Sequence, residues 1–262
     1  MATEQAPRAG GWDASLYDAR HAFVWQSAGG ILEWLAPQAN EAIVDAGCGT
    51  GHLSAQIARC GARVVGLDSS PAMLEAARRE HPTLRWIEGD ARDFSLGSLG
   101  LSEPLDAIFS NATLHWVQPP QAFLKCACAG LRPAGRLVAE FGGRWNVERV
   151  LQSIEAGLRE VQAKCDVRVN YFPSLAEYAS LAEEAGLQVL RAELFERPTP
   201  LEGEAGLRDW ARMFRGQAIE AVPQARRERF FHAMEEAARP HLRGESGWFA
   251  DYRRLRILAV KP

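Results

Sequence analysis

The stretch Ile43-Val44-Asp45-Ala46-Gly47-Cys48-Gly49-Thr50-Gly51-His52-Leu53 constrains the fold of this chain more than any other. An aliphatic run ends in an acid, passes through three alternate glycines and enters an amphipathic segment, which is the pattern of a strand turning tightly into a helix. Glycines there let backbone come close to a ligand, and the first-turn N–H groups beyond them favour a carboxylate or phosphate. From Ala42 onward such units recur. Aliphatic runs at Ala42–Asp45, Arg63–Leu67, Leu84–Ile87, Leu105–Phe109 and Arg136–Phe141 read as successive parallel strands. Helical patterns lie between them: Leu53 with Ile57, Met73 with Ala76 and Ala77 after Pro71, and Phe123 with Ala127 after Pro119-Pro120. Strand and helix in alternation predict an α/β doubly wound sheet.

Before this core, His21 to Leu35 carries Phe23, Ile31, Trp34 and Leu35 at helical spacing and is stopped by Pro37. After it, Ser174 to Ala185 reads as a helix closed by Gly186, and Gln188 to Phe195 as a strand. Gly203 to Gly216 and Gln224 to Arg239 read as cap helices, and Arg254 to Val260 as a last strand. The expected organisation is an N-terminal segment over residues 1–40 and a domain over 41–262, with a substrate cap from about 142–172 and 203–245.

Composition narrows the function. The 262 residues are 47% apolar and 24% charged, a globular balance, and the formal charge of −3 provides no basic field for nucleic acid or anionic membrane. The apolar runs are strand-length and Met1 to Gly11 lacks an apolar leader core, so a soluble cytoplasmic protein, monomer or homodimer, is expected. Cys48, Cys60, Cys126, Cys128 and Cys165 form no Cys-x-x-Cys pair, so neither a disulfide framework nor a zinc site is expected, and no metal is assigned.

Glycine spacing separates two ligand classes. A dinucleotide loop reads Gly-x-Gly-x-x-Gly, whereas this chain has Gly47, Gly49 and Gly51 with His52 in the last place, which argues against an NAD(P)-dependent oxidoreductase. Asp68, ending the second strand ahead of Ser69 and Ser70, can accept two ribose hydroxyl hydrogen bonds. Glu88-Gly89-Asp90-Ala91 places an acid and a backbone N–H at the end of the third strand, suited to an adenine amino group and ring nitrogen. The fourth ends in Ser110-Asn111-Ala112-Thr113-Leu114-His115-Trp116, on the carboxyl edge where such sheets bind ligands.

Together, Asp45 to Gly51, Asp68, Gly89-Asp90-Ala91 and Ser110 to Trp116 resemble the class I S-adenosylmethionine-dependent methyltransferases, over roughly Ala42 to Phe141. The Asn-Ala-x-Leu-His-Trp segment and Ala139-Glu140-Phe141-Gly142-Gly143 are similar to the trans-aconitate methyltransferase group within them. The resemblance implies a seven-stranded Rossmann-like sheet with its last strand antiparallel, and S-adenosylmethionine as cofactor. It implies that Gly47, Cys48 and Gly49 contact the methionine part, Asp68 with Ser69 the ribose, Asp90 with Ala91 the adenine, and that Asn111 lies beside the sulfonium. Met73 is implied as an adenine wall, with a buried helix residue as the alternative, and Asp45 as a residue that orients the loop or a water. Trp12 and Tyr17 resemble a segment that folds over the cofactor, with plain packing as the rival.

The expected reaction is methyl transfer to a small molecule, through a carboxylate or another O, N or C nucleophile. His115 is the candidate base, needed for an alcohol or phenol but not for a carboxylate, with a structural histidine as the alternative. Arg144 and Trp145 follow the fifth strand and are substrate-binding candidates together with His115, ahead of Arg149, Arg168, Arg212 and Arg215. A cofactor-binding protein without catalysis is the competing class.

Overall fold

The computed structural model describes residues 29–262, so Trp12, Tyr17 and the start of the N-terminal helical pattern lie outside the described residues. The chain divides into two compact units. Among the described residues the first holds 29–143, Pro173–Leu194 and Leu255–Pro262, and the second holds Arg144–Phe172 and Phe195–Arg254.

In the first unit, α1 (Gly29–Leu35) precedes β1 (Ala42–Ala46), every residue of which is buried. Then come α2 (His52–Ala58), β2 (Arg63–Asp68), α3 (Pro71–Glu80), β3 (Arg85–Glu88), β4 (Leu105–Asn111), α4 (Pro120–Gly130) and β5 (Leu131–Gly142). The strands β1 to β5 pair in parallel, as the alternating pattern predicts. Both faces are covered, so strands buried on both sides read as continuous aliphatic runs. On one face Ile31 and Leu35 of α1 and Leu53 and Ile57 of α2 pack on Ile43, Val64, Phe109 and Val138. On the other, Leu74 and Ala77 of α3 meet Cys48 and Trp86.

Helix starts follow local chemistry. The Ser70 hydroxyl accepts the Met73 N–H ahead of Pro71 at the first turn of α3. Ser174 and Glu177 close a reciprocal capping box on α6 (Leu175–Glu184), and Gly186, at φ +93°, ends it as predicted.

Among the described residues the sheet runs β3-β2-β1-β4-β5-β8-β6, with β6 at Gln188–Pro200 and β8 at Gly247–Val260. Ala134 and Gly135 near the start of β5 exchange backbone bonds with Lys261 just beyond the end of β8, so β8 runs antiparallel to β5. The two-residue β7 (Arg243–Gly244) pairs only with β8. Glu140 of β5, 1% exposed, accepts from Arg256 of β8 at 2.8 Å, and the Arg256 guanidinium lies 5.3 Å from the centre of the Trp34 ring on α1.

The second unit is helical. The segment 142–172, expected as part of a substrate cap, contains α5 (Glu148–Glu160), whose apolar Val150, Leu151, Ile154 and Leu158 are buried. α5 packs on α9 (Arg227–Leu242) through Gly157, where a Cβ would lie 2.8 Å from the Phe230 carbonyl oxygen. The predicted helix over 203–216 is instead α7 (Gly206–Phe214) and α8 (Gly216–Glu220). It breaks at Arg215, whose buried guanidinium donates to the Val167 carbonyl at 2.8 Å and to Asn170 Oδ1 at 2.7 Å. No helix among the described residues is long and apolar enough to cross a membrane.

Candidate functional site

The carboxyl ends of β1, β2 and β4 surround a cavity of about 120 Å³ in the first unit. Asp45 and the glycine loop form its floor, Asp68 and Met73 one side, and Asn111, Thr113 and Trp116 the other. Of the residues singled out from sequence, Gly47, Cys48, Gly49, Asp68, Met73 and Asn111 therefore share one cavity. Thr113 and Trp116 were not proposed individually, although both stand in the segment that ends the fourth strand, and a residue-by-residue reading of that turn would have included them.

The three glycines stand there for three different reasons. A Cβ on Gly47 (φ +78°) would lie 2.2 Å from the Thr113 side chain, and one on Gly51 (φ +87°) would lie 2.4 Å from the Trp86 ring. Gly49 (φ +56°) would meet nothing within 4 Å. Two glycines are thus required by the protein's own packing, and only at Gly49 is the space beside the backbone open for a ligand.

Two carboxylates flank that space. Asp45 is 2% exposed and accepts from the Ser54 hydroxyl at 2.6 Å. Burial pushes its carboxyl up to about 7; the Ser54 bond opposes this and the nearby Asp68 charge adds to it. Asp68 Oδ2 accepts the Gly49 N–H at 2.9 Å and Oδ1 the Ser70 N–H at 2.9 Å, so this side chain holds the loop as well as facing the cavity. Burial raises its carboxyl too, against those backbone bonds. Cys48 is buried, and burial pushes its thiol well up.

Other candidates sit elsewhere. Ser69 is exposed. Asp90 and Ala91 do not line the cavity; Asp90 is chelated by Arg92 (Nε to Oδ1 3.0 Å and to Oδ2 2.9 Å), which holds its carboxyl below the usual range, and its side chain remains 43% exposed. Arg92 itself reaches the Gln118 carbonyl at 2.9 Å. His115, 7% exposed, lies in the 3₁₀ turn Leu114–Trp116 and does not line the cavity. Its Nδ1 accepts the Gly142 N–H at 3.3 Å. An acceptor at Nδ1 leaves the proton of the neutral ring on Nε2, so the ring presents a donor there and its one lone pair is already engaged. In this arrangement, taking a proton at Nδ1 would break the Gly142 bond.

The substrate candidates Arg144 and Trp145 lie in the second unit. Trp145 (φ +66°) is 58% exposed and is flanked by the guanidinium groups of Arg144 at 5.2 Å and Arg253 at 5.1 Å. The other arginines considered have structural partners: Arg168 pairs with Glu148 and Glu155, Arg212 with Asp209, and Arg149 with Gln152.

Comparison with known proteins agrees with this architecture. Residues 43–135 match the methyltransferase-domain family Methyltransf_25. The chain is 33% identical to an uncharacterized methyltransferase, C70.08c, of Schizosaccharomyces pombe, over 95% of this chain and 98% of that protein. It is 30% identical to a trans-aconitate 2-methyltransferase of Deinococcus radiodurans, over 88% of this chain and 91% of that protein. A putative methyltransferase of Bacillus halodurans C-125 has the same fold, with a TM-score of 0.60 at 18% identity over 90% of this chain and 99% of that one. With a relative matched along nearly its whole length and a methyltransferase-domain match across the glycine loop and strands β1 to β4, the chain belongs to the class I S-adenosylmethionine-dependent methyltransferases.

Proposed function

We propose that this enzyme methylates a carboxylate of a small organic acid. S-adenosylmethionine, when bound, supplies an electrophilic methyl group on a sulfonium. The observation that carries the acceptor class is the wiring of His115: its Nδ1 is already engaged by the Gly142 N–H, which suits a reaction that calls for no base. An ionised carboxylate needs none, because it reacts without losing a proton, whereas an alcohol or phenol would. The trans-aconitate 2-methyltransferases among the relatives support the same class, as do Arg144 and Arg253 on either side of exposed Trp145.

For the cofactor, the residues fit a cation. Asp45 and Asp68 are carboxylates held in a buried site where burial disfavours their charge, and a ligand carrying an ammonium and a sulfonium relieves both. A pyrophosphate would add negative charge to the same loop. In this reading Gly49 and Cys48 lie along the methionine part, Gly47 shapes the loop, and Asp45 holds the ammonium directly or through water. Asp68 takes the ribose hydroxyls, Met73 lies against the adenine, and Asn111 stands beside the reacting centre.

The linkage has a definite sign. The Asp45 carboxyl is raised in the folded state from 3.8 to about 7, so the ligand-free protein is less stable as pH rises through that range. Binding that requires the ionised form strengthens with pH and levels off above 7. Calorimetric titration with S-adenosylhomocysteine is expected to give about tenfold tighter binding at pH 8 than at pH 6, with NAD binding at neither. Flat affinity across that range would remove Asp45 from the ammonium, and binding of NAD would remove the cofactor assignment. A mass-spectrometric screen of small di- and tricarboxylic acids, amines and phenols then tests the acceptor; methylated amines or phenols with no methyl ester overturn the carboxylate reading.

His115 gives a second check. At saturating cofactor, the turnover of the wild-type enzyme is expected to show no limb from an imidazole base between pH 6 and 8. His115→Gln, which keeps a side-chain donor, is expected to retain more activity than His115→Ala. A sigmoid rise near neutral pH that His115→Gln abolishes would restore the base.

A further inference from the structure

On the far side of the glycine loop from β4, the start of α2 meets the end of α3. His52 is the first residue of α2, Glu80 the last of α3, and His81 its C-cap. One donor atom from each of the three side chains falls within 4.8 Å of the others. His52 Nε2 lies 3.8 Å from a Glu80 carboxylate oxygen, and the two imidazole rings are 5.6 Å apart and nearly perpendicular, at 80°. One nitrogen of each imidazole and a carboxylate oxygen thus border a common volume.

We propose that His52, Glu80 and His81 form a binding site for a first-row divalent transition metal, with zinc as the best fit. Two neutral imidazoles and a carboxylate are a ligand set zinc accepts, leaving a fourth position for water. Tetrahedral coordination at about 2.0–2.2 Å places donors roughly 3.4 Å apart. Adjustment of the side chains, with Glu80 exposed at a helix end, would have to bring the donors from within 4.8 Å to that spacing. The His81 end is already set: its backbone N–H donates to the Ala77 carbonyl at 2.8 Å, and its carbonyl accepts the Trp86 indole N–H at 3.1 Å. Trp86 in turn fills the space over Gly51 and Gly66. A metal here would tie α2 to α3 across the indole that backs the glycine loop. His52 also lines the cavity beside the glycine loop, whereas Glu80 and His81 do not, and the proposal rests on the three side chains rather than on the acceptor or the cofactor assignment.

Cobalt(II) serves as the probe because its visible bands report ligand type. Titrating the full-length protein with Co²⁺ is expected to give one saturable equivalent, with visible d–d bands and no near-ultraviolet thiolate charge-transfer band. Zn²⁺ is expected to displace it and Mg²⁺ to leave it in place, since imidazole ligands select against hard cations. Glu80→Gln and His81→Ala should each weaken binding by at least about tenfold, the lower end of what loss of a supporting group alone costs a metal site. Glu80 is exposed, so Glu80→Gln should melt with the wild type and separates loss of the site from loss of the fold. Absence of saturable binding, a thiolate band, or bands unchanged in both variants would each overturn the site.

Discussion

Asp68→Ala is expected to lose cofactor affinity by two to four orders of magnitude while folding normally. In the proposed complex, two charge-assisted hydrogen bonds to the ribose are removed, each worth about 1.5–3 kcal/mol. The structure adds a second effect. The same carboxylate receives the Gly49 and Ser70 N–H groups, so its removal also frees the one loop position with open space beside it. Asp68→Asn retains a single acceptor oxygen and should fall between wild type and alanine. Titration with S-adenosylhomocysteine alongside a thermal melt checks both points. Near-normal binding by Asp68→Ala would remove the ribose assignment, whatever the melt shows.

A comparable loss, in stability rather than binding, is expected from Arg256→Met. Arg256 donates to Glu140 in the sheet interior, with side-chain exposures of 11% and 1%. It also lies against α1, where a Cβ on Gly30 would come within 2.9 Å of its guanidinium. Removing one partner of such a pair leaves a charge in an apolar setting, at a cost of about 3–5 kcal/mol. Arg256→Met with Glu140→Leu should recover most of that, because a well-packed apolar pair of similar volume is often no less stable than the ions it replaces. Urea unfolding of the single and double variants decides the matter. A single variant within 1 kcal/mol of wild type, or a double variant as unstable as the single, would contradict this account.

The parallel half of the sheet was legible because β1, β2, β4 and the second half of β5 are largely buried and carry short apolar runs. The glycine loop and Asp68 were legible because each sits at a strand end with few alternatives for its backbone. The helix α5 was less legible: Val150, Leu151, Ile154 and Leu158 carry its period, but no side chain caps its start at Val147. The state of His115 could not be read at all: it depends on the N–H of Gly142, contributed by a different strand. The His52, Glu80 and His81 cluster was hidden for the same reason, since its ligands come from two helices with a strand between them in the chain.

The unequal surroundings of the three loop glycines also bear on redesign of the donor site. Positions 47 and 51 are closed to any side chain by Thr113 and Trp86, so variation there must be matched by a smaller residue at the facing position. Position 49 has no such counterpart, and its left-handed backbone is one that asparagine adopts more readily than most residues. A sulfonium donor with an altered amino-acid end could therefore be accommodated or rejected by editing one residue, with the scaffold left untouched.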